Sequence, residues 1–163
     1  MATVLELTEG LPEVEYAPGD VVIEEGTRTG SIWILVSGSV NVRRGSTAIS
    51  TNSQPGSVFG DVSLLLDQPH GATVEAAEPT VMRYAADGVH LFDRYVGFSR
   101  MVATGLASRL DVLTAYLADI KQQYGAAPGI AMVSDVLRHL AAQPVSSVPA
   151  VRPVSARDPD PEY

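Results

Sequence analysis

Pro55-Gly56-Ser57-Val58-Phe59-Gly60-Asp61-Val62-Ser63-Leu64-Leu65-Leu66-Asp67-Gln68-Pro69-His70-Gly71-Ala72-Thr73-Val74 changes character twice along its length. It begins as a Gly-bounded turn, continues as one apolar helical turn, and returns to extended chain. Gly60 permits close backbone approach. A helical turn that starts after it points N–H groups outward without intrahelical partners, and such a start attracts an anion, phosphate included.

Upstream, Gly and Pro punctuate the chain at Pro18-Gly19, Gly26, Gly30, Gly38 and Gly45. Between them lie short β-branched and aromatic runs: Val21 to Ile23, Ser31 to Val36 and Ser39 to Val42. Ala72 to Ala76 and Thr80 to Tyr84 follow the quoted stretch. Short strands with turn signals at such intervals predict a sandwich or small barrel. No internal repeat recurs at a fixed period.

Near Gly88 the period becomes helical. Leu106, Leu110, Leu113, Leu117, Ile120 and Tyr124 alternate spacings of four and three, with Ala103 extending the seam upstream. Gly125 is placed to stop that helix and Pro128 to open another. Ile130, Val133, Val136, Leu137 and Leu140 form one face of the short helix that follows. Beyond it the chain turns to Pro, Ser, Val and acidic residues, the composition of a disordered tail. The predicted fold class is α+β: an antiparallel, jelly-roll-like β-roll followed by a long C-terminal helix and a short helix. The expected division is 1–125 for roll and long helix, 126–143 for the short helix, and 144–163 for the tail.

Composition removes several functions. The 163 residues, 45% of them hydrophobic, suit one domain with a real core. There is no Cys, hence no disulfide, thiolate metal site or Cys nucleophile. The formal charge is −8 and no basic run exists, so neither nucleic acid nor an anionic membrane surface is an expected partner. No apolar stretch approaches the roughly 20 residues of a membrane span. Met1 to Gly10 has no basic residue ahead of an apolar run, so no secretory signal is expected and the expected location is cytoplasmic.

Catalysis is not expected either. A metal cupin would cluster several His with a carboxylate. His70, His90 and His139 are the three His, each on a different predicted element. No nucleophile elbow, Walker loop or Rossmann fingerprint appears.

The quoted stretch resembles the phosphate-binding cassette of cyclic-nucleotide-binding domains, as in the catabolite activator family, protein kinase A regulatory subunits and gated channels. That family reads Phe-Gly-Glu, a few apolar residues, then Arg, a small residue, Ala, Thr or Ser, and Val. Phe59-Gly60-Asp61 and His70-Gly71-Ala72-Thr73-Val74 meet this spacing without a gap. Tyr16-Ala17-Pro18-Gly19-Asp20, Glu25-Gly26 and Ile32 to Gly38 match the family's earlier turns and strands. The resemblance covers roughly Leu11 to Lys121. It implies a non-enzymatic regulatory ligand sensor for a cyclic nucleotide, cAMP or cGMP. By resemblance the site residues are Phe59, Gly60, Asp61, Val62, Ser63, His70, Gly71, Ala72 and Thr73. Arg109-Leu110-Asp111-Val112 resembles the family's base-side sequence, which adds Leu113 and Thr114.

Two departures bear on affinity. Asp61 replaces the Glu that holds the ribose 2′-hydroxyl, one methylene shorter. His70 replaces the Arg that clamps the phosphate. Arg offers a planar fork and two charge-assisted bonds. His offers one, and is cationic only below its pKa of about 6.5. Losing about 2–4 kcal/mol weakens binding roughly 30- to 1000-fold. Weak or altered binding is therefore the expectation. The alternative is a degenerate domain that serves as a dimeric interaction scaffold without nucleotide.

Other residues keep two readings at this point. Asp61 alone would read as a helix-start carboxylate, and His70 after Pro69 as a surface turn residue. Trp33 lies inside an apolar run and reads as core. The Leu seam packs on its own roll or pairs with a second copy. In the catabolite activator family the corresponding helix dimerises, so the resemblance implies a homodimer through residues 102–124. Activators of that family add a helix-turn-helix. About forty residues follow Gln122 here, with one short helix among them, too little to dock a recognition helix. A separate effector protein is the remaining partner.

Overall fold

The computed structural model describes residues 2–125 and 130–142. The expected tail, 144–163, and the segment around Pro128 lie outside the described residues. The rest forms two compact units that divide between Ser99 and Arg100.

The first unit is a roll of two four-stranded sheets. Its strands are β1 (Glu13–Tyr16), β2 (Val21–Ile23), β3 (Ile32–Ser37), β4 (Val40–Arg44), β5 (Thr47–Asn52), β6 (Val58–Phe59), β7 (Thr73–Ala76) and β8 (Thr80–Ala85). One sheet runs β1-β8-β3-β6 and the other β2-β7-β4-β5. Every pairing is antiparallel. Helices α1 (Val4–Leu7), α2 (Asp61–Leu65) and α3 (Gly88–Arg94) complete the unit.

The core follows from the apolar runs. Ile23, Trp33, Leu35, Val40, Val74 and Met82 form one buried cluster drawn from both sheets. Each such side chain contributes about 1.5–3 kcal/mol on burial. β3 is buried at four successive positions, Ile32 to Leu35, because both of its faces are covered. Trp33 and Leu35 face the cluster, while Ile32 lies beside α3. A Cβ on Gly88 would come within 2.8 Å of Leu64 and 2.9 Å of Ile32, so α3 can approach α2 and β3 only with glycine there.

Beyond Arg94 the chain does not run straight on. Tyr95 takes φ −115° and ψ 84°, which ends α3. A second helix, α4, then runs from Val96 to Tyr124, and α5 from Ile130 to Ala142. The predicted long helix is therefore real and starts earlier than its apolar seam. Along α4, Leu110 and Leu113 are each 48% exposed and Tyr124 58%. Val112 and Tyr116, outside the seam, are exposed as well.

Candidate functional site

The cassette is built around Gly60. It has φ 90° and caps α2 without any side-chain bond. A Cβ there would meet the Ser31 carbonyl oxygen at 2.6 Å and the Trp33 ring at 3.5 Å. Both the left-handed backbone and the close approach require glycine. Phe59 precedes it in β6, paired with Trp33. Asp61, the first residue of α2, is buried at 4% exposure. Val62 is exposed, on the outer side of the turn. The Ser63 hydroxyl donates to the Gln68 carbonyl, which folds the exit of α2 back on its start. Asp67, at φ 48°, makes the reversal that follows.

From there the chain returns to the sheet through His70 to Thr73. The His70 amide donates to Thr27 O at 2.8 Å, and Gly26 N donates to His70 O at 2.8 Å. This pair zips the Glu25-Gly26 turn to the cassette. Thr73 is buried, and its hydroxyl accepts from Glu25 N at 3.1 Å. The Glu25 carboxylate accepts from Gly45 N at 2.7 Å. Gly71 is exposed with open space around its Cα, and Ala72 is half-buried. Thus Phe59 to Ser63 and His70 to Thr73 come together in one unit, against the loop 24–31 and β3.

His70 is not a surface turn residue. It is 5% exposed, with its ring turned inward. Nε2 lies 2.8 Å from Thr29 Oγ1. The imidazole meets the Trp33 indole edge-on, with centroids 6.0 Å apart. Removal from water holds its pKa below the ordinary value, since the charged form is the one desolvation disfavours. Beneath it, Trp33 also packs against Tyr84 at 5.3 Å, and the Tyr84 hydroxyl lies 3.0 Å from Ser31 Oγ. Burial raises the Tyr16 phenol above its usual value despite a bond to Trp33.

Sequence reasoning did not find Thr29 and Ser31 as supports of the site. A lone Thr and Ser in a Gly-rich loop carry no signal in one sequence. Trp33 was legible as core, and its place under the cassette follows from that.

Leu113 and Thr114 lie on α4 in the second unit. Leu113 is exposed, and the Thr114 hydroxyl donates to Leu110 O at 2.8 Å, within its own helix. In the first unit, Thr73 lines a groove of about 520 Å³ with Val21, Glu24, Glu25, Arg43 and Gly45. Two carboxylates against one guanidinium make that groove a poor anion site. Among the described residues no three His, Asp or Glu cluster as a metal site would require. No described helix is long and apolar enough to cross a membrane.

Residues 13–87 match the cyclic nucleotide-binding domain family. The chain is 33% identical over 92 residues to a cAMP-dependent protein kinase regulatory subunit of Debaryomyces hansenii, covering 56% of this chain and 20% of that one. It is 34% identical over 91 residues to a cGMP-dependent protein kinase of Eimeria tenella, covering 56% and 9% respectively. The matching part spans a fifth or less of these two relatives. Among solved structures, the catabolite activator protein of Thermus thermophilus aligns with a TM-score of 0.55 at 22% identity, covering 83% of this chain and 80% of that one. At that identity the likeness concerns the fold.

Proposed function

We propose that this chain, which carries a cyclic nucleotide-binding domain over residues 13–87, is a non-enzymatic regulatory module that binds cAMP or cGMP weakly. The observation that carries the reading is the cassette. A left-handed Gly60 opens a single helical turn, a buried carboxylate occupies its first position, and the chain returns to β7 through Gly71 and Thr73. Such a turn offers backbone N–H groups to a phosphate. Asp61 accepts from the ribose hydroxyl. His70 supplies the one side-chain charge available at the position of the family's Arg, and only as imidazolium. Phe59, Val62, Ser63 and Ala72 shape the turn rather than contribute charge.

Of the two residues that the resemblance assigns to the base, Leu113 offers packing alone. The Thr114 hydroxyl is already engaged with Leu110. Discrimination between cAMP and cGMP is therefore poor. The relatives named above are a kinase regulatory subunit and a kinase, which fits a sensor acting on an effector protein. The exposed Leu110 and Leu113 fit a homodimer through residues 102–124 in a cytoplasmic protein.

A second reading is favoured by one observation, the inward His70. A cassette whose cation at the clamp position is buried suits a dimeric scaffold that binds no nucleotide. Calorimetric titration with cAMP and cGMP separates the two. Saturable heat supports the sensor, and its absence up to millimolar ligand supports the scaffold.

A further inference from the structure

His70 stands where the family places its phosphate clamp, yet its ring faces away from solvent. The atom that holds it there is Thr29 Oγ1, 2.8 Å from Nε2. That same oxygen accepts from Ser31 N at 3.2 Å. With an N–H already pointing at the oxygen, the hydroxyl proton is best used toward Nε2 of a neutral ring. A ring protonated on Nε2 would donate to the oxygen's second lone pair, and the hydroxyl proton would then need another acceptor. The contact therefore holds the ring inward, and a neutral imidazole with Nε2 as acceptor satisfies it in full. The backbone of His70 is fixed independently by its bonds with Thr27 O and Gly26 N, both 2.8 Å. A rotation of the ring would leave these backbone bonds in place.

We propose that Thr29 is a positioning residue that holds His70 away from the anion site, and that a phosphate binds at the cassette only when the ring leaves Thr29 and turns outward as imidazolium. The inference rests on the proposed nucleotide-binding function. On the loop, Arg28 pairs with Asp67 at 3.3 Å and Glu25 holds Gly45 N at 2.7 Å, with Glu24 exposed beside them. On α2, Asp61 is buried at the helix start. From β3 and β8 the neighbours are Trp33 and Tyr84. Burial is the cause of the lowered His70 pKa.

The test uses the whole chain as wild type, Thr29→Val, Thr29→Ser and His70→Arg. Nuclear magnetic resonance follows the His70 imidazole through pH, and calorimetry follows cAMP at pH 7. Thr29→Val is expected to raise the His70 titration midpoint and to tighten cAMP about threefold to tenfold, the equivalent of one neutral hydrogen bond released. Thr29→Ser keeps the hydroxyl and is expected to behave as wild type in both measurements. An unchanged midpoint in Thr29→Val overturns the inference whatever the ligand does. A raised midpoint with unchanged affinity overturns it as well, provided His70→Arg binds cAMP. Absence of cAMP binding in every variant, His70→Arg included, overturns the proposed function and this inference with it.

Discussion

The indole of Trp33 meets the imidazole of His70 edge-on, at 6.0 Å between centroids and 68° between planes. The side chain expected to face a phosphate is thereby part of the packing under the cassette. Its chemistry in the free protein is that of a buried neutral base.

Stability should therefore depend on pH through His70. Its folded-state pKa is lowered by burial, whereas the unfolded value is about 6.5. Between the two, the unfolded chain binds a proton that the folded chain refuses. The contribution is fully present above the unfolded value and is lost as pH falls through the folded one. Urea unfolding at several pH values should show stability declining as pH drops below about 6.5. His70→Gln, which cannot titrate, should show a shallower decline. Equal slopes in both proteins would count against a buried neutral His70.

Gly60→Ala should destabilise the roll. The left-handed φ of 90° costs a non-glycine residue about 1–3 kcal/mol. The new Cβ would also press on Ser31 O at 2.6 Å, which is backbone and cannot rotate away. Chemical denaturation should register a loss of at least about 1 kcal/mol. At Gly71, where nothing lies within 4 Å, alanine should be tolerated.

The seam of α4, with Leu110, Leu113 and Tyr124 exposed and Leu117 half-buried, predicts a dimer. Burying Leu110, Leu113 and Leu117 against a twin is worth about 1.5–3 kcal/mol per side chain. Light scattering should give twice the mass of one chain for the wild type. Leu113→Glu combined with Leu117→Glu should give the mass of one chain. A wild type that remains monomeric at high concentration removes the dimer from the account.

Duplex DNA should not be retained. With a net charge of −8 and no basic run there is nothing to neutralise phosphates. A gel shift at physiological salt that retained a specific sequence would contradict this.

How much of this was legible in the residues differs by element. β2, β3, β4, β7 and β8 were readable because β-branched runs between Gly and Pro mark buried strands. β5 was not. Thr47 to Asn52 is exposed or half-exposed along its whole length, so no alternation betrays it. β1 hid behind its two Glu, and β6 has two residues. The helical half was readable from its seam, but the break at Tyr95 was not, since the nearby Gly97 lies inside α4 and not at the break. In the site, the Gly60 turn was announced by the residues around it and the place of Asp61 by the family resemblance, but the burial of Asp61 was not. The direction of the His70 ring was not, because it depends on Thr29, forty-one residues away. Long-range contacts of that kind leave no local pattern.

The central claim is that this cassette binds a cyclic phosphate and that His70 limits the affinity. The measurement that reaches it most directly is a cAMP titration of wild type, His70→Arg and His70→Ala from pH 8 to pH 5.5. A bound phosphate stabilises imidazolium, so binding takes up a proton. Wild-type affinity should rise as pH falls from about 7 to 6. His70→Arg carries a permanent charge, which burial without a partner disfavours. It should bind more tightly, by about 2 kcal/mol, at every pH. His70→Ala should bind weakly and without pH dependence. Tight, pH-independent binding by the wild type would contradict the role of His70. No binding by any of the three, His70→Arg included, would contradict nucleotide binding itself.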